Sequence, residues 1–292
     1  MSNETPTRQD APLLDVSGLV IEYRRDGESF RAVDDVSFSV ARGGCLAVVG
    51  ESGSGKSTIA RALVRLVKPT SGSIMFDGTD LATLPERQLR PVRHRIQMVF
   101  QDPYGSLDPH LTAEQVVAEP MAVRGERDAA RRRARAAELL DSVGLPTSAL
   151  QRKPHEFSGG QRQRIGIARA LASDPDLLVL DEATSALDVS VQAAVLAILA
   201  RLRVEQGLTY LFISHNLGVV KAISDDVLVL RAGKVVERGT TEQVLSAPAE
   251  PYTRRLRRSA LEPGLMTGRK PREVVRAIAA ARMAEHAESV TA

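Results

Sequence analysis

Residues 45–58 of this 292-residue chain, CLAVVGESGSGKST, constrain it more than any other stretch. An apolar run, Cys45-Leu-Ala-Val-Val49, ends in glycine, and a helical pattern follows from residue 56 to 67. Between them stand Gly50, Glu51, Ser52, Gly53, Ser54, Gly55, Lys56, Ser57 and Thr58. Glycines at this spacing let the backbone curl until several N–H groups converge on one anion at the positive end of the helix. A lysine at position 56 reaches the β- and γ-phosphates of a nucleotide, and a serine at 57 offers Mg²⁺ a hydroxyl. With glycine near 7% of residues, the four fixed positions would coincide by chance in about one chain of this length per hundred. The flanking strand and helix favour a phosphate-binding loop over a mere glycine-rich turn.

A second signal is Leu177-Leu-Val-Leu-Asp181-Glu182. Four apolar residues read as a buried strand, with two carboxylates at its end, where open parallel sheets place ligands. Asp181 suits a magnesium shell, and Glu182 suits orienting and polarising a water. Alone, such a pair is more often a helix cap. Beside a phosphate loop the functional reading overtakes it. A third signal is Ser158-Gly159-Gly160-Gln161. Its plain reading is a capping box. Two glycines in a first turn are costly, though, which points to backbone kept bare for an anion.

Strand-like and helical segments alternate along the chain. Strands are expected in residues 13–40, 45–50, 71–78, 95–100, 177–182 and 209–214, with a hairpin turning at Ala232–Gly233. Helices are expected at 158–172, 191–203 and 217–223, and residues 111–145 repeat apolar positions at helical spacing. This pattern predicts an α/β fold with a mostly parallel sheet and a helical subdomain inserted at about residues 102–172. Residues 1–12 read as a polar tail and 261–292 as an extension with a helical run near 272–286. The arginines at 131, 132, 133 and 135 have acidic neighbours and read as a solvated helix face.

Composition narrows the setting. The 39 basic and 36 acidic side chains leave +3, too near balance to imply nucleic acid. Cys45 is the only cysteine, which excludes an intramolecular disulfide and fits a reducing compartment. The most apolar run, AAVLAILA at 193–200, is far short of the roughly 20 residues that cross a bilayer. The polar N-terminus lacks a signal peptide's apolar core.

Taken together, these motifs resemble the ATP-binding-cassette (ABC) ATPases. Phe157-Ser-Gly-Gly-Gln161 resembles the signature, Val99-Phe100-Gln101 the Q-loop, Ser185-Ala-Leu-Asp188 the D-loop, and Ser214-His215 the switch histidine. Tyr23 matches the aromatic that stacks on adenine. The resemblance covers about residues 13–260 and implies a phosphate-loop NTPase core with an antiparallel β subdomain. It implies ATP and Mg²⁺, with Lys56, Ser57, Asp181, Glu182, Gln101 and His215 acting within one chain. Lys56, Gln101, Glu182 and His215 take the catalytic roles. Ser57, Gln101 and Asp181 would hold the metal. Ser158, Gly159, Gly160 and Gln161 would meet the nucleotide of a second cassette, with Asp188 at the seam. A single phosphate loop therefore calls for a second chain, homologous or identical.

Longer stretches, QDPYGSLDP at 101–109, PHEFSGGQRQRIGIARAL at 154–171 and PYTRRL at 251–256, resemble the peptide/nickel-type importer ATPases. This implies two permease subunits, an extracytoplasmic solute-binding protein, and a peripheral place on the cytoplasmic face of the inner membrane. Tyr104 to Pro109 become candidates for the permease contact. Ala183 stands where many members have proline, and Asn216 where aspartate is usual. Cys45 alone excludes the family's iron–sulfur variant and reads as core packing. A soluble ABC protein acting on nucleic acid or ribosomes is the rival, favoured only by Arg254, Arg255, Arg257 and Arg258. A catalytically poor regulatory half of a pair is a third reading, opposed by the intact Lys56, Glu182 and His215.

Overall fold

A computed structural model describes residues 11–25, 27–102 and 105–261. The expected helix at 272–286, most of the polar tail, and Pro103 and Tyr104 lie outside the described residues.

The chain opens with the long strands β1 (Leu14–Arg25) and β2 (Glu28–Val40), then β3 (Cys45–Val49), helix α1 (Lys56–Leu63), β4 (Ser71–Phe76) and the short β5 (Thr79–Asp80). Helix α2 (Glu86–Arg93) leads into β6 (Ile96–Val99). Three helices follow, α3 (Ala113–Val123), α4 (Ala129–Ser142) and α5 (Gly159–Leu171). Next come β7 (Leu177–Asp181), α6 (Val189–Gln206), β8 (Thr209–Ile213), α7 (Leu217–Ile223) and the hairpin β9 (Asp226–Arg231)–β10 (Lys234–Thr240). Helices α8 (Thr241–Ser246) and α9 (Pro251–Leu261) complete the described chain.

Two sheets form. One is antiparallel, in the order β2-β1-β4-β5. The other runs β10-β9-β3-β8-β7-β6, parallel except for β10. The apolar runs of the central strands follow from burial on both faces. Side chains alternate across the sheet. Leu177, Val179, Leu211 and Ile213 join Leu46, Val48 and α1 in one core with the antiparallel sheet. Leu178, Leu180, Tyr210 and Phe212 face a second core with α3 to α6. Tyr210 is fully buried there because its hydroxyl donates to Leu199 O at 2.9 Å.

Several segments differ from the sequence expectation. The helix after the phosphate loop stops at Leu63, because Arg65 turns left-handed (φ 55°). The span 111–145 is two helices: Gly125 (φ 98°) breaks the first, and Asp128 caps the second through Ala130 and Arg131 N–H. Helix α2 went unread because it carries Pro91 and a polar sequence with Leu89 its one buried residue. The arginine-rich face of α4 is ion-paired at the surface, Arg133 with Glu114 and Arg135 with Glu138 and Asp174. Among the described residues, no helix is long and apolar enough to cross a membrane.

Gly160 has a packing role that the sequence does not show. Its glycine is explained by packing: a Cβ would lie 2.0 Å from Val191 Cγ1, where α5 crosses the start of α6. A Cβ at Gly159 would meet only Leu187 Cδ2, at 4.0 Å. Valine is stiff at χ1 and cannot swing away. Gly160→Ala should therefore destabilise the chain by about 1–3 kcal/mol. In denaturant unfolding, Val191→Ala should cost less in that background than alone, a coupling that two independent sites would not show.

Candidate functional site

The parallel strands end together. Val99 pairs with Leu180, Asp181 with Ile213, and Val48 with Ile213, so the segments after β6, β7, β8 and β3 emerge along one edge. This is where ligands sit in open α/β sheets. The chemistry-bearing residues of the sequence lie at or shortly beyond those strand ends.

After β3 the loop wraps its own lysine. Lys56 Nζ donates to Gly50 O at 2.9 Å, Glu51 O at 2.8 Å and Ser54 Oγ at 3.4 Å. Gly50 (φ 156°) and Gly55 (φ 103°) are held where side chains do not fit. A Cβ at Gly50 would stand 2.3 Å from Leu230 O, and one at Gly55 2.5 Å from Ala32 O. Gly233 N–H donates to Ser54 O at 3.0 Å, tying the β9–β10 hairpin to the loop. No side chain caps α1, so its first-turn amides stay open beside the buried lysine. An open, capless helix start with a captive ammonium fits a nucleotide's phosphates.

Facing it, Ser57 Oγ donates to Asp181 Oδ1 at 3.0 Å. Serine hydroxyl, carboxylate and the amide oxygen of Gln101 are hard oxygen donors of the kind Mg²⁺ prefers. Glu182 follows in the left-handed region (φ 48°). Such a backbone costs about 1–3 kcal/mol in a residue with a side chain and persists where surroundings enforce it. Here Glu182 N–H still donates to Ile213 O at 3.0 Å, while the side chain turns into the site. Gln101 Nε2 donates to Glu182 Oε2 at 3.0 Å, and His215 Nδ1 lies 3.4 Å from Glu182 Oε1. Both carboxylate oxygens are thus fixed by groups from two other strand ends.

The other expected residues lie elsewhere. Ser158 and Gln161 close a reciprocal capping box, and Asp188 caps α6 through Val191 N–H at 2.9 Å and accepts from Ser190 Oγ at 2.7 Å. Ser190 and the amides pull the Asp188 carboxyl below its usual range. Among the described residues, no hydrogen bond joins Ser158, Gln161 or Asp188 to the phosphate loop. Tyr23 packs against Phe30, ring centroids 5.8 Å apart, and Phe30 is 52% exposed. The sequence reading missed Phe30, although it is an aromatic in the strand paired directly with Tyr23.

Burial sets the site's electrostatics. It pushes Lys56 below its ordinary range, against the upward pull of Glu182 and Asp181. It pushes Asp181 upward, opposed by the Ser57 hydrogen bond and reinforced by the Glu182 charge. The folded Asp181 therefore holds its proton to higher pH than the unfolded one. Its contribution to stability is complete below the ordinary carboxylate range and is lost as pH rises through the raised folded value. Once ionised, it opposes folding. Asp181→Asn should thus melt at or above the wild-type temperature at pH 7. In thermal melts that advantage should shrink as the pH falls towards the ordinary carboxylate range.

Residues 33–185 match the ABC transporter family. A Brucella ovis protein provisionally named a peptide import ATP-binding protein is 49% identical over 247 residues, 85% of this chain and 78% of its own length. The oligopeptide transport ATP-binding protein AppF of Bacillus subtilis is 49% identical over 235 residues, 80% of this chain and 71% of AppF. A solved dimer of the ATP-binding cassette MJ0796, in a post-hydrolysis state bound to ADP and Pi, superposes with a TM-score of 0.72 at 31% identity. It covers 78% of this chain and 98% of that one. With the phosphate loop, the two acidic residues at the end of β7 and a cassette fold in one chain, this protein belongs to the ABC transporter family, as one of its ATP-binding cassettes.

Proposed function

We propose that this chain is the ATP-hydrolysing subunit of an importer for peptides or a related small solute. The observation that carries the catalytic reading is Glu182, held at both carboxylate oxygens by Gln101 and His215 one residue beyond Asp181. A carboxylate so fixed is placed to orient an attacking water and receive its proton. Lys56 and the α1 amides would bind the phosphates, and Ser57, Asp181 and Gln101 would hold Mg²⁺. The metal supplies charge neutralisation across the phosphate oxygens. His215, whose ring faces the same carboxylate, keeps it oriented while the phosphate leaves. Tyr23 supports the base.

The similarity to a dimeric cassette supports a partner for this site. Ser158, Gly159, Gly160 and Gln161 open the start of α5 away from the chain's own loop, and Asp188 opens α6 beside it. In our reading they meet the nucleotide of a second cassette, identical or homologous, and hydrolysis separates the two. The peptide assignment rests on the relatives' names, which point to transport and not to nucleic acid. We place the chain on the cytoplasmic face of the membrane, against two permease subunits that receive solute from an extracytoplasmic binding protein.

A groove of about 1020 Å³ supports the permease contact. It runs between β6 with α2 and the helices α3 and α5, lined by Arg90, His94, Phe100, Leu107 and Val123. Phe100 and Val123 are 42% and 82% exposed, large apolar surfaces beside the expected contact stretch. Ser106 and Leu107 of that stretch line the groove, while Tyr104 lies outside the described residues.

Glu182→Gln should keep ATP binding and cut phosphate release by about 10²–10⁴-fold, the usual worth of a general base. Near-wild-type release from that variant, measured with the coupled permease complex, contradicts the role given to Glu182.

A further inference from the structure

The PYTRRL stretch at 251–256 marked a resemblance but has no part in the chemistry above. In the folded chain it begins α9, and Tyr252 comes to the phosphate loop 201 positions earlier. The Tyr252 hydroxyl accepts the N–H of Glu51 at 3.3 Å. Glu51 O in turn accepts from Lys56 Nζ at 2.8 Å and from Ser54 N–H at 3.2 Å. One hydroxyl thus holds the amide whose neighbouring carbonyl orients the phosphate-binding ammonium.

The tyrosine is itself held from several sides. It is 5% exposed and packs among Val49, Leu217, Val220 and Val244. The Arg231 guanidinium lies over its ring, 5.0 Å from the centroid, directly after Leu230, whose carbonyl forbids a side chain at Gly50. The turn before α9 is pinned by Glu237, whose carboxylate accepts the N–H groups of Ala249 at 2.7 Å and Glu250 at 3.2 Å. Each contact fixes where the hydroxyl points. A residue needed only to bury area would not require it.

We infer that Tyr252 is a positioning residue for the phosphate loop, holding the Gly50–Glu51 peptide so that Lys56 is set for a nucleotide's phosphates. Helix α9 then serves the nucleotide site through this one hydroxyl. This deepens the ATPase reading and rests on it.

Calorimetric titration of the full chain with ADP tests the inference. Tyr252→Phe keeps the ring and its Arg231 contact and removes only the hydroxyl. It should weaken ADP binding about three- to tenfold, the scale of one hydrogen bond, with an unchanged melting temperature. With ATP, KM should rise by a similar factor and turnover at saturation should persist. Leu256→Ala, which loosens α9 without touching the hydroxyl, should lower the melting temperature and leave ADP affinity at the wild-type value. Wild-type affinity in Tyr252→Phe overturns the inference. So does parallel loss of affinity and stability in both variants, which marks α9 as packing alone. A wild-type chain that binds no ADP overturns the ATPase reading beneath it.

Discussion

Everything at the site depends on the in-register pairing of the parallel strands. Leu180 faces Val99 and Phe212, and Ile213 faces Asp181 and Val48, so strand ends far apart in sequence finish at one level. A slip of one residue in β7 would exchange its two faces. Leu178 and Leu180 would leave the core they share with α5 and α6, and Asp181 would leave Ser57. Burial on both faces therefore does two things at once. It fixes the register and, through it, sets the distance between phosphate loop and carboxylates.

That placement has an energetic cost. Lys56 and Asp181 are both buried, at 5% exposure, and burial disfavours the charged form of each. Glu182 adds a left-handed backbone. Within the loop the lysine is satisfied by the loop's own carbonyls, and the aspartate by the Ser57 hydroxyl. These internal bonds offset desolvation while keeping both groups in position. The two large apolar cores offset what this arrangement costs.

Much of this was legible in the sequence because the responsible signals are local. The phosphate loop, the LLVL and YLFI runs and the 217–223 helix each depend on neighbours within a few residues, and so does the Ala232–Gly233 turn, with both residues at positive φ. What escaped is set by distant packing. The packing demand at Gly160 comes from Val191, 31 positions later, which fills the space a Cβ would need. Phe30 became notable only once β2 paired with β1. Tyr252 looked like part of a family stretch, and nothing near it in sequence shows that its hydroxyl reaches Glu51. Helix α2 was hidden for the opposite reason: with Leu89 alone buried, it has no periodic apolar face to read.

The central claim is that one chain carries a complete phosphate-binding half-site, organised by Lys56 at the edge of the parallel sheet. Equilibrium binding of Mg²⁺-ATP to the purified wild-type chain and to Lys56→Ala tests it most directly. The account predicts one nucleotide per wild-type chain and loss of that binding in the variant, with both proteins equally folded by circular dichroism. Undiminished binding by Lys56→Ala, or no binding by the wild type, would contradict it.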